Sequence, residues 1–164
     1  MVELKKALQE ITLAKALKVK NRLAGRLAKV QADIQAFNSV PEGQAGQVDV
    51  AALVKTRDEL VAALVGLKTA VNEANREVQR VIYELAEAKA SAQFLAGVPT
   101  RHGPQPPCYP ATVEVTYVAA IKKADVDALV ARLEKEIDRL QELLDQFNHV
   151  HKVAVEPRTL ELAS

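Results

Sequence analysis

The residues whose spacing best suits them to chemistry are charged, and they form two sets. Lys15, Lys18, Arg22 and Lys29 recur at helical intervals with Arg26 beside them, and such intervals align side chains on one helix face. Residues 1–31 hold eight Lys or Arg against two Glu. Further along, Asp127, Glu134, Asp138 and Asp145 share a face, with Glu142 at its edge. The cationic face could hold a polyanion such as nucleic acid or acidic lipid, or it could hold an acidic helix. Stripes of opposite sign fix register and partner choice more than they add stability. The nucleic-acid reading lacks the interleaved aromatics and the recognisable motif that such surfaces carry. The stripes therefore read first as contacts within or between subunits, or as solvated faces, and nucleic-acid association stands as the alternative.

Histidine and cysteine offer less. His149 and His151 form an HxH pair, but two histidines without a nearby third ligand make a poor metal site. His102 and Cys108 share a Pro-rich segment and have the types of a nucleophile–base pair, yet such segments usually serve as connectors. The chain has no phosphate-cradling glycine loop and no serine elbow, and its many carboxylates lie on helix surfaces. No catalytic, cofactor-binding or metal-binding residue is assigned, and the expectation is a protein that is not an enzyme.

Composition supports that expectation. The 164 residues suit one domain with a real core. Hydrophobic residues make up 49% of the chain but aromatics only 4%, with no Trp, so Ala, Leu and Val must do the packing. That bias suits helices meeting along narrow seams better than an aromatic-lined pocket. A formal net charge of +1 gives no global attraction to polyanions. The single cysteine excludes an intramolecular disulfide and a cysteine-based zinc cage, which fits a reducing cytoplasm. The opening Met1–Lys6 stretch lacks the apolar core of a secretory signal. No uncharged apolar run approaches the ~20 residues of a membrane span; the longest, Leu60 to Leu67, is far shorter.

The elements that must position these residues are helices. Residues 2–38 contain no Pro and carry two apolar stripes, Leu4, Leu8, Ile11 and then Leu23, Leu27, Val30, Ile34, Phe37, which predict one helix with two buried faces. Gly25, within it, either marks a close helix crossing or is simply tolerated there at a cost of up to ~1 kcal/mol against Ala. Residues 39–47 form a Pro- and Gly-containing loop, and Asp49 is placed to cap the next helix. The strongest pattern follows: Leu53, Arg57, Leu60, Leu64, Leu67, Val71, Ala74, Val78, Val81, Leu85, Ala88, Ala92 and Leu95 keep an unbroken three-four register. It predicts a helix over 50–96, about 70 Å long at ~1.5 Å per residue, with modest helix formers at residues 72–76 as the place where it could break. A chain this small cannot cover such a rod alone. Leu53, Leu60, Leu64, Leu67, Val71, Val78, Val81, Leu85 and Leu95 are accordingly expected to form an oligomer seam.

Residues 97–111, with five Pro and two Gly, end that helix. Residues 112–118 alternate like a strand, whose partner would be the tail His151–Val155 or the same strand of another copy. Asp125 would cap a last helix over 125–148, with a seam at Val126, Val130, Leu133, Ile137, Leu140, Leu144 and Phe147. Residues 1–150 thus read as one helical-bundle domain, and 151–164 as a loose tail.

Several segments together resemble the septicolysin-like family of small bacterial proteins. They are Lys6-Ala7-Leu8, Leu27-Ala28-Lys29-Val30-Gln31, Val50-Ala51-Ala52-Leu53, Val71-Asn72-Glu73-Ala74-Asn75, Tyr83-Glu84-Leu85-Ala86-Glu87-Ala88, residues 113–129 and Leu144-Asp145-Gln146-Phe147-Asn148. The resemblance spans most of the chain in order. It implies a turn near Asn75, where this sequence keeps its heptad, and it implies no assigned biochemical activity. The family's name suggests a cytolysin, but no membrane-inserting segment is visible here.

The expected molecule is mainly α: an elongated antiparallel helical bundle with coiled-coil-like heptads and one short strand. It would be a cytoplasmic, non-enzymatic structural or interaction protein that assembles as a homo-oligomer without a cofactor.

Overall fold

The structure, a computed structural model, describes residues 8–106 and 114–164. It is mainly α-helical, as the periodicities predict. The order is β1 (Gln9–Thr12), α1 (Leu13–Phe37), α2 (Val50–Asn75), α3 (Gln79–Ala96), β2 (Gly103–Gln105), β3 (Val115–Tyr117), α4 (Lys123–Val150), β4 (Lys152–Val155) and α5 (Pro157–Glu161). The chain divides into two compact units, residues 1–77 with 145–164 and residues 78–144, rather than forming a single domain over 1–150. Helix α4 gives its final turns to the first unit and the rest to the second.

In the first unit, α1 and α2 pack on a two-stranded antiparallel sheet. The sheet pairs β1 with β4, Ile11 opposite Val153 and Gln9 opposite Val155. The sequence reading of 2–38 as one helix is corrected here, because the helix begins at Leu13. Thr12 lies in extended backbone and caps α1, its hydroxyl accepting from the Lys15 N–H at 3.3 Å. The Leu13 N–H donates to the His151 carbonyl at 2.8 Å, so the strand pairing runs into the helix start. The tail is likewise not loose: Val153 and Val155 point inward from β4, and Pro157 opens α5 at a position where a missing N–H costs nothing.

Helix α1 buries Leu13, Ala16, Val19 and Leu23, and α2 buries Leu60, Leu64, Leu67, Val71 and Ala74. With Ile11, Val153, Val155 and Ala163 these form one continuous cluster. Asp49 caps α2 as expected, its carboxylate accepting from the Ala52 N–H at 2.9 Å. Gly46, in the loop before it, has φ of 80° and therefore needs a glycine. Gly25 marks no crossing, because a Cβ built there would meet nothing within 4 Å.

The continuous helix expected over 50–96 is interrupted. A 3-10 turn at Arg76–Val78 separates α2 from α3, and Val78, at φ −114° and ψ 11°, has left helical geometry. A 3-10 turn takes three residues, so it disturbs a three-four apolar register very little. This explains why the heptads run through the break unmarked.

The second unit consists of α3, a hairpin and most of α4. The partner expected for the strand over 112–118 is corrected: β3 pairs antiparallel with β2, Gln105 opposite Val115 and Gly103 opposite Tyr117, while the tail pairs with β1. Residues 112 and 113 lie outside the described residues. Pro104, in β2, lacks an N–H, which a strand with one open edge tolerates. Helix α4 starts at Lys123, two residues before the expected cap, with Asp125 in its first turn where a carboxylate meets the positive end of the helix dipole.

Candidate interaction surfaces

The residues singled out in the sequence fall into three groups according to what covers them. Leu60, Leu64, Leu67 and Val71 are buried in the core of the first unit, so this stretch of the expected oligomer seam is covered by its own chain. Leu53 is half-buried on α2. In the second unit Leu85 is buried, while Val78, Val81 and Leu95 are half-buried.

Beside that half-covered seam lies an apolar surface that the heptad register did not indicate. Tyr83 is 63% and Phe94 72% exposed on α3, and Leu129 and Leu143 are 42% and 43% exposed on α4. Tyr83 and Phe94 stand three helical turns apart, so they share a face; their sequence spacing alone would have revealed it. Leu95 of α3 lines a groove with Leu129 and Leu133 of α4, flanked by Arg132, Glu136 and Arg139. Two hydrogen bonds of 2.9 and 2.6 Å join Arg139 to Glu136. The hydrogen bond from Arg139 holds the Glu136 carboxyl below the ordinary carboxylate range. At the middle of the two helices the Lys89 ammonium donates to the Gln141 side-chain oxygen at 3.3 Å.

The cationic face of α1 is on the first unit. Lys15, Lys18, Arg22, Arg26 and Lys29 are all exposed. Arg26 donates to the Ser164 carbonyl at 2.7 Å; the other four make no ion pair among the described residues. No acid lies between Glu10 and Asp33, so none stands among the five cations. The acids of α4 (Asp127, Glu134, Asp138, Glu142 and Asp145) are exposed too, and Asp127 pairs with Lys123 one turn before it.

The remaining candidates are engaged locally. The His151 ring stacks on Phe147 with centroids 4.7 Å apart, and a His149 ring nitrogen lies 2.7 Å from the Asp145 carbonyl. Among the described residues no three His, Cys, Asp or Glu side chains cluster as a metal site would require. His102 accepts a hydrogen bond from the Ala119 N–H at 3.2 Å through a ring nitrogen, and Cys108 lies outside the described residues. A cavity of about 330 Å³ opens on the first unit between α2 and the end of β4. Ala62, Ala63, Gly66 and Ala70 floor it, and Glu156 and Arg158 stand among its walls. Arg158 also ties α5 to α2 through Glu59 at 2.7 Å and pairs with Glu161 at 3.2 Å. Bonding to these two carboxylates raises the guanidinium pKa above its ordinary value.

Among the described residues no helix is long and apolar enough to cross a membrane. No family model, curated protein or solved structure matches the chain.

Proposed function

We propose that this is a non-enzymatic structural or interaction protein that assembles with copies of itself through the heptad-patterned helices α3 and α4. One observation carries the reading: these helices bury only Leu85, Ala88, Val126 and Leu140 among the described residues, while Tyr83, Phe94, Leu129 and Leu143 stay exposed. Large apolar side chains left exposed along a helix face point to an interaction site, and heptad helices gain most by covering them with other helices. The septicolysin-like resemblance is compatible with this, since it implies no chemistry of its own. Size-exclusion chromatography with light scattering tests the reading at micromolar concentration. A discrete multiple of the 17.8 kDa chain is expected; a monomer throughout would overturn it.

The exposed cationic face of α1 favours a second reading, association with nucleic acid. That reading expects binding that weakens steeply with salt and weakens again when Lys15, Lys18, Arg22, Arg26 and Lys29 are replaced by Ala.

A further inference from the structure

The two charged faces have a common geometry. Along α1 the cations Lys15, Lys18, Arg22 and Arg26 are separated by three, four and four residues. Read backwards along α4, Asp145, Glu142, Asp138 and Glu134 have the same separations. Laid antiparallel, Lys15 meets Asp145, Lys18 meets Glu142, Arg22 meets Asp138 and Arg26 meets Glu134, with no like-charge clash in the set. Helical spacing by itself would make any two stripes commensurate. What it does not supply is opposite sign on equal lengths, each stripe spanning about 17 Å at ~1.5 Å per residue.

We propose that the cationic face of α1 and the acidic face of α4 are the two halves of one contact made between copies of this chain, an inference that rests on the self-assembly proposed above. The chain carries its own electrostatic complement, which a surface evolved for nucleic acid has no need of. Its net charge of +1 gives a polyanion no long-range attraction, and no aromatic residue stands among residues 15–29 for a base to stack on. The contact is heterologous, joining α1 of one copy to α4 of another. Exposed pairs add little energy singly; here they select the partner and fix its register while apolar surface supplies affinity.

The test exchanges the charges. One chain carries Lys18→Glu, Arg22→Glu and Arg26→Glu; a second carries Glu134→Lys, Asp138→Lys and Glu142→Lys. All six positions are exposed, and circular dichroism checks that helix content is kept. Each variant alone is expected to assemble on the order of 100-fold more weakly than the parent, from several exposed pairs turned repulsive. An equimolar mixture restores assembly, which a folding defect would not do. Parent assembly weakens as salt rises from about 0.05 to about 0.5 M. Variants that assemble like the parent, or a mixture that stays dissociated, would overturn the contact while leaving self-assembly through α3 and α4 standing. Charge reversal that leaves assembly intact but abolishes binding of a labelled single-stranded DNA oligonucleotide would overturn it in favour of nucleic acid. A parent that is monomeric overturns both proposals.

Discussion

The two units are built from similar helices but covered to different degrees. The first is about half again as long as the second, yet among the described residues it holds a continuous cluster of thirteen buried apolar side chains against four buried in the second. Small side chains contribute to the difference. Ala16, at 0% exposure, stands between Leu13 and Val19 on the buried face of α1, where a side chain without bulk lets a neighbouring helix approach closely. The first unit also has a sheet and a short helix to close over its helical hairpin. The second unit has a small hairpin of two three-residue strands, and Tyr83 and Phe94 on α3 face outward. A heptad pattern therefore records that a face is apolar, but not whether the same chain will cover it.

The largest expected effect tests the closing elements. Truncation after His151 removes Val153 and Val155, which are 6% and 4% exposed. Burial of two valines is worth roughly 3–6 kcal/mol, so denaturant unfolding followed by circular dichroism should lose most of its cooperative transition. A truncated chain as stable as the parent would show that the sheet is peripheral to the first unit. Next come paired truncations in the two cores. Leu60→Ala is expected to cost about 2–5 kcal/mol, whereas Leu85→Ala should fall at or below the low end of that range, because its surroundings are less enclosed. Equal losses in urea titrations would remove the contrast between the units.

Replacing Tyr83 and Phe94 together with Ser should change the stability of the monomeric chain by less than about 0.5 kcal/mol per site while lowering the assembled fraction in light scattering. Unchanged assembly would shift the contact away from the outer face of α3. The smallest effect is expected at Gly25, which faces open space on α1. Gly25→Ala should stabilise the chain by about 0.5–1 kcal/mol, read as a small rise in melting temperature. A loss of stability would mean that another chain approaches the helix there.

Much of the architecture was legible because its signals are local. Asp49 announced its helix because a carboxylate reaches amides only three residues ahead. The Pro-rich stretch after Gly97 announced the end of α3 because proline removes a donor and restricts the residue before it. The charged stripes were equally plain, and the structure leaves both exposed. Residues 9–12 were misread because Leu8 and Ile11 stand three apart, a helical interval, while their strand partner is at the far end of the chain. The apolar pair Tyr83 and Phe94 lies off the heptad register, so the three-four pattern does not point to it.

By itself, then, the sequence determined that the chain is mainly helical and which faces of its long helical stretches are apolar, cationic or acidic, since each follows from side-chain type and a period of a few residues. Tertiary structure alone decided that Gln9–Thr12 would be a strand against Lys152–Val155, that Arg76–Val78 would divide the long heptad, and that Leu60 to Val71 would be covered from within while α3 and α4 kept apolar surface exposed. The reason is that strand pairing and burial depend on which distant segment arrives as a neighbour, and no local period encodes that.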